Sequence, residues 1–389
     1  MTDFDRCPSP TRAARVGFTA IPAAVVAAIM AWTFATAFGG HILGFFRLGS
    51  KQPPSPYITP PDSVLAKGEV GYDGQMFLTV ALDPLLANPG TRAALDNPRY
   101  RYRRILFPVL GYALSLGQRA LIPWMLVLIN GVCFVSVTMV TARLLESLGQ
   151  PARAALFALG IPGFWCALLL TTSELLAGLL FALALFCYGR ERHGWTAVFF
   201  GLAGLTHETM LIVIGTLAFP LAGQRKWRAA GILALGSLPA VLWNLFILWK
   251  LPPAGSTTGL VASFSWPGAG IAQKVLTIAR GPFSAKGLFD SATFLLLAVT
   301  FGLLVIAFLQ ERRSRFILPC ALAYLGFFTL SKMHLIAYYI DFLRVFSNAV
   351  FLLIPALAWG AGRRATSTLL LAWSACSAAL VAAYSAGLI

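Results

Sequence analysis

Apolar runs near the length that crosses a bilayer, about 20 residues, recur along almost the whole chain. They are broken by short polar turns and by two long polar segments, at about 39–118 and 250–290. Runs at 16–38, 119–142, 152–170, 174–188, 195–206, 209–222, 229–249, 291–309, 316–331, 336–359 and 366–386 predict about eleven crossings. The runs are continuous and rich in Leu, Ala, Gly and Phe, whereas a transmembrane β-barrel alternates in segments of about 10 residues. The expected fold is an all-α polytopic membrane protein, with residues 1–389 forming a single transmembrane domain.

Inside the first long segment the pattern changes twice. Pro53, Pro54, Pro56, Pro60 and Pro61 exclude a regular helix and predict extended chain. Then Phe77, Val80 and Ala81 recur at helical spacing, so Tyr72 to Leu86 reads as an interfacial helix with Asp73 near its start and Pro84 ending it. Ile105 to Leu116 is too short for an ordinary crossing and reads as a second interfacial or partly inserted helix.

Composition agrees: 58% of the 389 residues are hydrophobic and 11% are charged, too little polar surface for a soluble fold. A net charge of +16 would point to nucleic acid in a soluble protein, but here the basic residues sort by loop. With the amino terminus (Arg6, Arg12, Arg15) in the cytoplasm, the same side receives Arg143 and Arg153, Arg190 and Arg192, Arg225, Lys226 and Arg228, Arg312, Arg313 and Arg315, and Arg363 and Arg364. That is the positive-inside bias, so the charge speaks of topology and no nucleic-acid partner is expected. The segments 39–118 and 250–290 then fall outside, as two extracytoplasmic loops. No cleavage site stands out after the first run, which reads as a retained span. Cys7, Cys133, Cys166, Cys187, Cys320 and Cys376 show neither a disulfide framework nor metal-ligand spacing.

The short runs carry a second message. The pairs 152–170 with 174–188, and 195–206 with 209–222, meet at Glu174 and at Thr206-His207-Glu208-Thr209, and runs of 12 to 15 residues need a cavity or a thinned bilayer. An extracytoplasmic cavity lined by these turns is expected. A charged group at membrane depth costs about 2.5–3.5 kcal/mol, which makes Glu174, Glu208, Lys332, Asp341 and Arg344 candidates for function.

Gly71-Tyr72-Asp73-Gly74-Gln75, then Leu82-Asp83-Pro84, then Arg101-Tyr102-Arg103-Arg104-Ile105-Leu106-Phe107-Pro108 resemble the first outer loop of bacterial integral membrane proteins akin to the GT-C glycosyltransferase superfamily. The turn Thr206-His207-Glu208-Thr209 resembles a later element of the same proteins. The specific match covers residues 71–108 and 206–209. The resemblance implies a GT-C-like helical bundle in a bacterial inner membrane, moving a sugar from a polyprenyl-phosphate-linked donor to an envelope or lipid acceptor at the outer face. Asp73 matches the essential acidic residue of that loop. The adjacent acidic pair of many members is absent here, and a divalent cation stands as an open cofactor question.

On that reading Asp73 takes the proton of an acceptor hydroxyl, Gly71 and Gly74 let backbone approach substrate, and Tyr72 and Gln75 contact it. The alternatives are a helix cap or an ion pair. Arg99, Arg101, Arg103 and Arg104 suit a lipid phosphate, Arg103 and Arg104 best because they precede Ile105 and Pro108; anionic headgroup anchoring explains them equally. His207 and Glu208 are an acid–base pair, a weak ligand pair or a hydrogen-bonded junction, without the spacing of a metal site. Lys332, His334, Tyr338 and Arg344 gather near a later span, Arg344 as a second phosphate candidate, although Asp341 and Arg344 at i,i+3 have the spacing to satisfy each other. In the second loop, Trp266 reads as a sugar platform or a surface anchor, and Gly281-Pro282-Phe283 as part of a substrate cover.

Two other functions fit the same features. A lipid or solute transporter would spread polar residues over both halves of the bundle, and a non-catalytic membrane assembly protein would need no reaction centre. The polar residues cluster at one face, which favours the transferase; protein partners beyond membrane lipids are not legible.

Overall fold

The computed structural model describes residues 12–252, 263–281, 284–310, 317–358 and 363–387. Arg6, Cys7, Arg312, Arg313, Arg315, Pro282 and Phe283, to which the sequence assigns roles, lie outside the described residues. The protein is predominantly α-helical and multi-spanning. Ile122–Ser147, Trp227–Lys250, Ala285–Ile306 and Arg363–Ser385 are each long and apolar enough to cross a membrane. Shorter apolar helices, Ala20–Thr36, Glu174–Gly189, Thr209–Gly223 and Ile317–Leu330, accompany them.

Ile122–Ser147 runs through the interior, where Phe134 stacks edge-on against Phe164 and Trp165. Trp227–Lys250 lies at the periphery and leaves Leu235, Leu242 and Trp249 exposed, the distribution of a helix that meets lipid on one side. Between them Phe181 packs on Phe200, Tyr324 and Phe351.

Two of the expected spans are broken. The run 152–170 forms a 3₁₀ helix, Ala152–Gly160, and an α-helix, Pro162–Leu169, bent by 58°. Pro162 has no N–H to donate and pushes Ile161 into extended backbone at φ −92°, ψ 108°, so a helix cannot continue through it. The run 336–359 likewise splits into Tyr339–Val345 and Ser347–Ala356, bent by 56°. Both bends leave short helices inside the bundle. The far end of Pro162–Leu169 is met by Asn130, whose Nδ2 donates to the carbonyls of Ala167 (3.1 Å) and Thr172 (3.0 Å). Thr171 between them holds φ 46°, costly for a β-branched residue, so this turn is held from outside itself.

The first long segment is ordered against the bundle. Leu48–Gly49 pairs in parallel with Leu65–Ala66, and Leu48 bridges to Gly71. The helix that follows spans Asp73–Leu82, and Gly74 through Leu82 are all buried. The expected interfacial helix is thus an interior one; its apolar residues are enclosed on every side, which helical spacing alone cannot reveal. Nor do the two glycines open a path for substrate. Gly71 takes φ 91°, and a β-carbon on Gly74 would stand 2.2 Å from the Leu170 carbonyl oxygen, so both serve close packing within the chain.

Among the described residues the second long segment contributes Ala269–Arg280, which docks where Lys274 is enclosed. The Lys274 ammonium pairs with Asp290 and donates to the Ala337 carbonyl at 2.7 Å. This joins the segment to the chain just before Tyr339–Val345. Gly74→Ala is expected to cost about 1–3 kcal/mol by overpacking, read as a lower thermal unfolding midpoint in detergent; an unchanged midpoint would refute the close docking of this helix on Leu170.

Candidate functional site

Four stretches converge on one cavity of about 570 Å³, the start of Asp73–Leu82, the chain at 96–104, the turn at 207–209 and the stretch from Lys332 to Val345, and Ser263 and Phe327 complete its lining. Asn97 caps the short helix Pro98–Arg101 by accepting from the Tyr100 N–H at 3.1 Å, and Pro98 opens it at a position where no N–H is needed. That turn sends Arg101 and Arg104 toward the cavity.

Asp73 is the centre of the charge pattern. One carboxylate oxygen accepts from Arg101 Nη1 at 2.6 Å and the other from Arg344 Nη2 at 2.8 Å. Each arginine has a second carboxylate behind it. Arg101 is also clamped by Asp96 through Nε (2.7 Å) and Nη2 (2.6 Å), and Arg344 Nη1 stands 3.3 Å from Glu174, an ion pair without hydrogen-bond alignment. The Arg344 guanidinium also lies over the Tyr72 ring, 4.7 Å from its centre, and the Tyr72 hydroxyl donates to Asp341 at 2.5 Å.

Beside this chain lies a separate pair. Arg104 binds Glu208 in bidentate fashion, both contacts 2.9 Å, and donates to the Tyr100 hydroxyl at 2.5 Å. Adjacent His207 is buried and its Nδ1 meets the Thr209 hydroxyl at 2.8 Å.

Burial alone would raise the Asp73 carboxyl, but the charges of Arg101, Arg344 and Arg104 outweigh it and hold it well below the usual carboxylate range. Burial raises the Tyr100 hydroxyl to about 12, against the opposing pull of Arg104. Asp73 is therefore ionised at any physiological pH. A carboxylate so held is a poor proton acceptor until one guanidinium leaves it.

No family model matches this chain, and neither a curated protein nor a solved structure matches it.

Of the residues singled out in the sequence, Asp73, Arg101, Arg104, His207, Glu208, Lys332, His334, Asp341 and Arg344 line the cavity. Others serve around it. Tyr72 supports Arg344 and Asp341, and Glu174 lies behind Arg344 with 3% of its side chain exposed. Gln75 is committed internally: its Oε1 accepts from the Gly49 N–H at 2.8 Å and its Nε2 donates to the Gln52 carbonyl at 3.4 Å. Arg103 is not among the lining residues, since the turn at 102–104 carries its neighbours Arg101 and Arg104 inward instead. Tyr338 bonds the Tyr339 hydroxyl and stacks under Lys286, and Trp266 is 86% exposed outside the cavity. The i,i+3 pairing of Asp341 with Arg344 gives way to the Tyr72 and Asp73 contacts.

Sequence reasoning passed over Asp96 and Tyr100. The signal was the run Asp96-Asn97-Pro98, a cap followed by a helix-opening proline, which makes 98–101 a helical turn and brings residues 96 and 101 to one side.

A divalent cation does not fit at Asp73. Both its oxygens are taken by guanidiniums, and among the described residues no group of three or more His, Cys, Asp or Glu side chains is arranged to hold a metal ion. Arg104→Gln alone is expected to destabilise the protein by about 3–5 kcal/mol, because Glu208 is left buried without its partner, and the double variant Arg104→Gln/Glu208→Gln by less. Unfolding of the four proteins of this cycle in mixed micelles checks it; equal losses in single and double variants would refute the coupling.

Proposed function

We propose that the protein is a GT-C-like glycosyltransferase of a bacterial inner membrane, which moves a sugar from a polyprenyl-phosphate-linked donor to an envelope or lipid acceptor at the extracytoplasmic face. One observation carries the proposal. The two stretches that resemble the superfamily, 71–108 and 206–209, are far apart in sequence yet meet in one cavity, joined by the Arg104–Glu208 pair.

The chemistry follows from the residues present. The acceptor hydroxyl oxygen bonds to the anomeric carbon while the bond from that carbon to the phosphate oxygen breaks. The electron pair leaves with the phosphate, and the hydroxyl proton passes to Asp73. Charge grows on the leaving phosphate, where Arg101 and Arg344, with Lys332 and His334 on the exposed wall of the cavity, oppose it. Neither Lys332 nor His334 makes an ion pair among the described residues, so both are free to meet a ligand. Glu208 and Arg104 neutralise each other and form the wall against which a sugar would rest.

Purified protein in lipid nanodiscs, given a panel of polyprenyl-phosphate sugars and extracted envelope acceptors, is expected to form product. Asp73→Asn is expected to lower the rate by about a hundredfold or more. Equal rates would remove Asp73 from the reaction, and no product from folded wild type that binds donor would favour transport. For the membrane side, a cysteine at Lys51 is expected to react with an impermeant maleimide in intact cells and one at Arg225 only after permeabilisation; the opposite pattern would reverse the topology.

A further inference from the structure

The cavity holds no guanidinium that lacks a carboxylate. Arg101 has Asp73 and Asp96, Arg344 has Asp73 and Glu174, and Arg104 has Glu208. The Arg344 Nε and Nη1 that make no hydrogen bond are buried, so a phosphate that takes the nitrogens facing the cavity, Arg101 Nη1 and Arg344 Nη2, must displace a carboxylate, and the four carboxylates are not equally displaceable. Asp96 and Glu208 each hold one arginine by two aligned bonds. Glu174 is closed off from the cavity behind Arg344. Asp73 gives one bond to each of two arginines, faces the cavity, and keeps 17% of its side chain exposed.

We infer that Asp73 occupies, in the resting protein, the place of a ligand phosphate, and that an incoming lipid-linked phosphate takes over Arg101 and Arg344 and releases the Asp73 carboxylate. This rests on the anion site described under Proposed function and adds how that site is switched on. Asp73 spans Arg101 and Arg344 with two oxygens, as two oxygens of a phosphate would. Asp96 and Glu174 then act as positioning residues: each keeps its arginine in place when Asp73 lets go. The exposed Lys332 and His334 give the phosphate a first contact that displaces nothing. Only after the exchange is Asp73 relieved of both guanidiniums, so the proton acceptor becomes basic when the donor is seated and not before.

Binding of farnesyl phosphate to protein in phosphatidylcholine nanodiscs tests this, with inorganic phosphate run in parallel to separate a lipid-linked ligand from a free one. Asp73→Asn removes the internal competitor and is expected to bind farnesyl phosphate about tenfold tighter than wild type, while Arg344→Gln binds more weakly. Asp96→Asn is expected to weaken binding without lowering the unfolding midpoint, and Asp96→Glu to restore it. Wild-type protein gives an independent reading: coupling of glycine ethyl ester by carbodiimide at Asp73, followed by mass spectrometry, is expected to rise when farnesyl phosphate is present. Affinity in Asp73→Asn equal to or below wild type, or coupling at Asp73 that does not rise, overturns the exchange while the anion site stands. Absence of binding by wild type and Asp73→Asn alike overturns the anion site and the exchange with it.

Discussion

A carboxylate shared between two guanidiniums, with little water to screen them, is the constraint around which this end of the protein is arranged. Arg344 has 5% of its side chain exposed and Arg101 12%, so each would cost several kcal/mol to enclose alone. Asp73 lowers that cost for both at once, which is why its position is so closely determined. Gly74 lets its helix sit against the Leu170 carbonyl, Gln75 ties the helix to Gly49, and the break before Ser347 ends a short helix that presents Arg344.

The broken spans serve the same end. A straight helix through 152–170 or 336–359 would carry its polar residues along the bilayer and leave no chain ends near the cavity. The bends of 58° and 56° leave short helices inside the bundle whose ends must find partners, and Asn130 shows how the far end of one of them, Pro162–Leu169, is satisfied from a neighbouring helix. The polar interior of the bundle is thus a product of how its helices stop, more than of how many charged residues it contains.

Much of the helical layout was legible. Runs of apolar residues mark the long spans at their observed places, and Pro162 already carries the instruction to bend at 161. The burial of Asp73–Leu82 was not legible, because its residues are apolar in a way that suits a membrane surface as well as an interior. In the site, Asp73, Arg101 and Glu208 stood out as polar residues in an apolar chain. So did Arg104 and Arg344, but the pairings did not: Arg104 with Glu208 and Asp73 with Arg344 are contacts between distant segments, and no periodicity encodes which arginine meets which carboxylate. Local spacing misled for Asp341 and Arg344, since a neighbour three residues away competes poorly with Asp73 and the Tyr72 hydroxyl when the helix delivers both.

The Asp73–Arg344 contact joins residues 271 positions apart. During synthesis the carboxylate emerges long before its second partner exists, with only Arg101 close by in the chain. A chain cut short anywhere before residue 344 would keep the Asp73–Arg101 half of the arrangement and lack the other half. The charge balance of the cavity is therefore reached only once the 271 positions between Asp73 and Arg344 have been inserted, which makes completion of the site a later event than the emergence of its central carboxylate.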